Sequence, residues 1–96
     1  MIDEKLIKDR KSVYGDNFEC IAEAWSKLVG YKVDGAMVAL MMSEMKQCRI
    51  DAIDLQLSKF PPPDVGLKLY SAREDSFTDK ANYKWIANNY ADYKAL

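Results

Sequence analysis

Asp75, Asp79 and Tyr83 stand at i, i+4 and i+8 in the stretch EDSFTDKANY, one above another on a helix. Two carboxylates at that spacing repel by roughly 0.2–0.5 kcal/mol, so the pair needs a reason. One reason is local. Ser76 as N-cap with Asp79 at the third helical position matches the Ser-x-x-acid capping box, and Asp75 adds negative charge at the positive end of the helix dipole. The other reason is chemical. Carboxylates brought together from different helices hold Mg²⁺, and cations beside them meet an anionic ligand.

Further members of such a site lie upstream. Glu44 has Leu40, Met41 and Cys48 as helical neighbours, while Lys46 and Arg49 are flanked by Met42, Ile50 and Ile53. A charge among them that faces another helix needs a partner, a metal or a polar cavity. Two arrangements meet that need. Lys46 or Arg49 forms an ion pair with Asp75 or Asp79, or Glu44, Asp75 and Asp79 hold Mg²⁺ while the two cations face an anion. Glu19 and Glu23 form a second acidic pair, which reads as a solvated face with Glu23 beside Lys27, or as a contributor to the same cluster. Arg10 and Tyr14 are one turn apart ahead of Gly15, where the phenol can point into a helical bundle.

The chain has no histidine, which removes Ser-His and Cys-His nucleophile pairs. Any catalysis must use carboxylates, lysine, tyrosine or a metal. Cys20 and Cys48 fall within apolar patterns and read as buried thiols of a reducing compartment.

Four helices must position these groups. The first runs over about 2–13 and stops at Gly15. The second opens near Asp16 or Asn17, carries Phe18, Ile21, Ala22, Trp25, Leu28 and Val29 as its apolar stripe, and ends at Gly30. The third follows Asp34 as N-cap, with Val38, Met41, Met45, Cys48 and Ala52 as its main seam, widened by Met37, Leu40, Met42 and Ile53. Residues 58–72, with Pro61, Pro62 and Pro63 in sequence, predict a long extended loop. The last helix is expected over about 76–95 and carries Tyr83, Trp85, Tyr90 and Tyr93. The pattern predicts an all-α fold, a small bundle of about four helices in a single domain over 1–96.

Composition narrows the function classes. The 96 residues are 49% hydrophobic and 30% charged, which fits a folded domain with a small core, and self-association into a homo-oligomer is the expected supplement. Fourteen basic and 15 acidic residues are interspersed for a net charge of −1, which argues against a general nucleic-acid binder. No apolar run approaches the ~18 residues of a membrane span, and MIDEKLIKDRK lacks the apolar core of a signal peptide. The cytoplasm is the expected location.

The fragments RKSVYGDNFECIAEAWSKLVG, MMSEMKQCRI and EDSFTDKANYKWIA, in that order, resemble a family of small phage and prophage all-α proteins of unknown function. That family is in turn distantly similar to the MazG-like nucleoside triphosphate pyrophosphohydrolases. The likeness implies Mg²⁺ held by acids on two helices around a triphosphate. Glu44, or the Glu19/Glu23 pair, would stand on the first acidic helix and Asp75 with Asp79 on the second. Glu44 and Asp79 would then be catalytic, with Asn82 and Tyr83 beyond them and Lys46 and Arg49 facing phosphate. Arg10 and Tyr14 would complete the substrate-binding set. The chain departs from the MazG pattern, with Glu-x-x-x-Glu where Glu-x-x-Glu is usual and Ser76 where an acid is usual. The competing reading is a non-enzymatic phage accessory protein that binds a host protein or a nucleotide, its contact surface being the proline loop and the aromatics of the last helix.

Overall fold

Asp3 opens the first helix. In a computed structural model that describes residues 2–96, its carboxylate accepts from the Leu6 amide at 3.0 Å and starts α1, Glu4–Tyr14. Gly15 stops α1 with φ +63°, a conformation that costs an L side chain, and its N–H bonds the Lys11 carbonyl at 2.8 Å. The second helix, α2, is Asn17–Val29 and closes at the left-handed Gly30. Ser26 then ties down the connection, its hydroxyl accepting from the Val33 amide at 2.8 Å. Asp34 caps α3, Gly35–Leu57, by accepting from the Met37 amide at 2.8 Å.

The long proline loop expected over 58–72 is a tight turn. Pro63 occupies the first position of α4, Pro63–Asn88, where a missing N–H costs nothing and a fixed φ favours the helix. Only Pro61 and Pro62 remain in the connection. Ser76 therefore sits inside α4, buried, with its hydroxyl donating to the Ala72 carbonyl at 2.8 Å, and it caps nothing. Asn89 breaks the helix at φ −134°, and α5, Tyr90–Lys94, follows.

α3 and α4 lie antiparallel along most of their length. Asp54–Arg73, Lys46–Asp79 and Ser43–Lys80 link them in reverse order, the first by a 2.7 Å ion pair at the tip. Ile50 and Ile53 are buried between the two helices. At the opposite end α1, α2 and α5 gather around the pair, and the main core forms from Ile7, Phe18, Ala22, Val33, Val38, Ala39, Ile86 and Tyr93. Phe18 sits at its centre, edge-on to Tyr83, Tyr90 and Tyr93. The Tyr90 ring packs where a β-carbon on residue 35 would be, which requires glycine there.

This clustering leaves an elongated molecule. The radius of gyration is 15.5 Å, against about 12–13 Å for a compact chain of this length. Several apolar positions expected inside are outside. Met37, Leu40, Met41 and Met45 are exposed, as are Cys48, Ala52 and Cys20. Leu28 and Val29 are exposed too, because α2 buries only its first turns and Ala22 deeply. The physical reason lies in α3, which carries two apolar stripes and turns the less bulky one, through Ala39, Ser43, Ile50 and Ile53, toward its neighbours. The aromatics of the C-terminal region pack on the core and are not the surface expected for a partner. No described helix is long and apolar enough to cross a membrane.

Candidate functional site

Where α1 approaches the α3–α4 pair, a cavity of about 390 Å³ opens beside the main core. α1 contributes Arg10 and Lys11, about one turn from the buried anchor Ile7, and Tyr14, two turns from it. Asn17 and Phe18 enter from the start of α2. Met42 and Lys46 come from α3, one turn apart, and Asp79, Asn82, Tyr83 and Ile86 form one stripe of α4. Tyr93 of α5 closes the wall.

Asp79 is the electrostatic hinge. Its two oxygens are divided between two cations, Oδ1 to Arg10 Nη1 at 3.2 Å and Oδ2 to Lys46 Nζ at 3.1 Å. The Asp79 and Lys46 side chains are only 15% and 19% exposed, so this pair is shielded from water more than a surface bridge is. Arg10 is 46% exposed, so its contact with Asp79 is the one more open to water. Three elements distant in sequence are thereby joined through one carboxylate.

The neighbouring groups are locked. Asn82 is buried, and its Oδ1 accepts from the Asp3 backbone N–H at 2.7 Å, pinning the start of α1 to α4. Lys11 Nζ donates to the main-chain oxygens of Tyr93, Lys94 and Leu96 at 2.8–3.0 Å and so caps the end of α5. Burial pushes the Tyr83 phenol above its ordinary pKa and the Asp79 charge adds to the effect, while Arg10 and Arg49 oppose it. Tyr83 is thus a neutral hydroxyl at physiological pH. Burial raises Tyr93 in the same way.

Of the residues singled out in the sequence, Arg10, Tyr14, Lys46, Asp79, Asn82 and Tyr83 line this one cavity. Glu44, Arg49 and Asp75 do not. Glu44 is two residues from Lys46, about 200° around α3, and faces solvent. Asp75 is exposed one turn toward the hairpin tip, and Arg49 is exposed as well. Glu23 pairs with Lys27 at 3.7 Å on an open face. Among the described residues, no three acidic or sulfur side chains stand together as a metal cage. The donors present do not fit a protein-held Mg²⁺, because both oxygens of the one carboxylate in the cavity are engaged by cations.

Sequence reasoning missed Lys11, Asn17 and Tyr93. Lys11 shares a helical face with Ile7 and Tyr14, and that spacing is its one signal. A second polar cluster was also missed. The Tyr90 hydroxyl lies 2.9 Å from both Asp16 oxygens and 3.0 Å from Glu19 Oε1, which also meets Lys94 Nζ at 3.1 Å. The Lys94 and Tyr90 hydrogen bonds hold Glu19 below its ordinary carboxylate pKa. Burial, with those two carboxylates, drives the Tyr90 phenol far above its own. This cluster fastens α5 to α2.

The chain belongs to a family described as a domain of unknown function (DUF6378), whose model matches residues 2–57. That span contains α1, α2 and α3, and hence Arg10, Lys11, Tyr14 and Lys46. No curated protein and no solved structure matches the chain.

Proposed function

We propose that this DUF6378 protein binds a nucleotide through its phosphates in the α1–α3–α4 cavity, as a phage-type relative of MazG-like enzymes that has diverged toward binding without turnover. The observation that carries the reading is the charge balance of the cavity: Arg10 and Lys46 face it with Asp79 as the one opposing side-chain carboxylate, and Lys11, its donors held by main-chain oxygens of the C-terminal segment, adds positive charge at the wall. A volume of about 390 Å³ falls in the range of small-ligand sites. Tyr14, Tyr83 and Tyr93 offer ring surface and hydroxyls beside the cations, which suits a base or sugar attached to the phosphates.

In this reading Asp79 occupies the place an incoming phosphate competes for. It pairs with Arg10 and Lys46, and the ligand takes over one or both cations. Any Mg²⁺ bound to a polyphosphate would be the ligand's own counterion, with no protein cage required. Hydrolysis would require further carboxylates around the phosphates, and Glu44 and Asp75 stand on other surfaces.

The test is thermal melting with nucleoside mono-, di- and triphosphates and inorganic triphosphate, with and without Mg²⁺. A ligand at a hundred times its Kd raises native stability by about 2.7 kcal/mol. Lys46→Gln should abolish the rise. Asp79→Asn should melt lower without ligand, by about 1–3 kcal/mol for a broken charge-assisted pair, and yet gain affinity for the anion. A metal-holding Asp79 gives the opposite sign, with binding lost. If no phosphate compound moves the midpoint, the proposal fails.

A further inference from the structure

The apolar stripe of α3 that faces away from the bundle has the spacing of a coiled-coil seam. Met41, Met45, Cys48, Ala52 and Leu55 follow one another at intervals of four, three, four and three residues. All five are exposed, with Met41 at 50%, Met45 at 59% and Leu55 at 58%. Ser43, Ile50 and Ile53, which α3 buries, lie on its opposite face. The open seam, with Met37 one turn ahead, extends over roughly 27 Å of helix.

We propose that this seam pairs with the same seam of a second copy, the two α3 helices lying parallel. The charges bordering it select that partner and that direction. Glu44 and Asp51 border the seam on one side, and Arg49 and Gln56 on the other. In a parallel pair the acidic border of each helix meets the other border of its partner, so Glu44 of each copy faces Arg49 of the other across the two-fold axis. An antiparallel pair sets acidic border against acidic border and Arg49 against Arg49, which repels. Cys48 and Ala52 are small side chains at successive layers and allow the backbones a close approach.

Energetics favour the pairing despite the short seam. An isolated helix would have to order on association, whereas α4 already holds α3 helical throughout. Burying the methionines and Leu55 then adds to association without that cost. The inference is independent of the cavity, whose lining residue Lys46 projects from the other side of α3.

The full chain should sediment as a concentration-dependent dimer. Met45→Glu should weaken the dimer at least roughly tenfold, about 1.4 kcal/mol, while the circular dichroism of the exposed-site variant stays unchanged. Met41→Lys provides a second disruption at another layer. Arg49→Glu should weaken association, and Glu44→Arg combined with Arg49→Glu should restore it. In a Cys20→Ser background, mild oxidation by diamide should link two copies through Cys48, which the parallel register places layer against layer. A chain that remains monomeric at all concentrations overturns the proposal, as does a dimer indifferent to Met45→Glu. A dimer that forms but never links through Cys48 overturns the parallel arrangement, and a larger complex seen only with another protein added would assign the seam to that partner instead.

Discussion

The two ends of the α3–α4 pair are made differently. At one end three further helices surround it, and Phe18 meets three tyrosines in a core that also draws on α1, α2 and α5. At the other end the pair stands alone. Ile50 and Ile53 lie between the two helices, Arg73 bonds Asp54, and Leu55, Leu67, Tyr70 and the turn residue Phe60 are exposed. A pair of helices without a third layer buries one stripe of each and leaves the rest wet. The enclosed end can therefore hold charges such as Lys46 and Asp79 in fixed positions and form a cavity. The bare end offers surface.

The largest expected effect separates the ends directly. Phe18→Ala removes the ring around which the enclosed end packs and should cost about 3–5 kcal/mol, enough to unfold much of a domain this small. Ile53→Ala, nearer the tip, should cost about 2 kcal/mol, since a neighbour exposed on one side relaxes into the space more readily. Chemical denaturation gives both numbers. Native-state hydrogen exchange should show amides near the tip opening locally while those of 35–45 exchange only on global unfolding. Equal costs and uniform protection would mean that the tip is covered in solution, as pairing through α3 would require in part.

Much of this contrast was legible in the sequence and some was not. Asp34, Gly15 and Gly30 mark helix ends through chemistry confined to a few residues, and those boundaries fall where the caps place them. The Lys46–Asp79 pair was within reach because a charge on an apolar helix demands a partner, and the ion-pair alternative named it. Three consecutive prolines misled, since the third starts a helix as readily as the first two prevent one. That error moved the start of the last helix to Ser76 and created a cap that does not exist. The α3 seam misled in another way. Periodicity identifies an apolar face but not what covers it, so Met41, Met45 and Cys48 read as core although α3 turns Ser43 and Ile50 inward. Arg10 and Asp79 come together only through tertiary packing, which spacing along one helix cannot register.

Smaller effects follow from pH, and they belong to the enclosed end. Glu19 has its folded pKa held below 4.5 by Lys94 and Tyr90. Its contribution is present above the unfolded value and is lost as pH falls through the lower folded one, so α5 should loosen first on acidification. Tyr90 carries the opposite sign. Its folded pKa is raised above 10.0, the unfolded chain releases this proton first, and stability should decline as pH rises past that value. Tyr90→Phe should lessen the alkaline decline, to which the raised Tyr83 and Tyr93 phenols add with the same sign, and Glu19→Gln should lessen the acid one. In a Trp25→Phe background, intrinsic fluorescence of Trp85, which packs against the core, reads both transitions. A tip-centred transition at either extreme would contradict the assignment.

The smallest expected effect lies in the turn of the bare end. Phe60 holds φ +54°, a left-handed conformation that costs an L residue roughly 1–2 kcal/mol, and its ring is 92% exposed, so packing returns nothing. Phe60→Gly removes that strain but adds about 0.5–1 kcal/mol of unfolded-state entropy. The balance is a gain of about 0.5 kcal/mol, or a midpoint higher by about 2–4 °C. Thermal melting of dilute and concentrated protein distinguishes two outcomes. A gain at both concentrations means the turn pays its strain alone. A loss confined to the concentrated sample means the Phe60 ring touches a second copy, and the bare end is then part of an interface larger than the α3 seam.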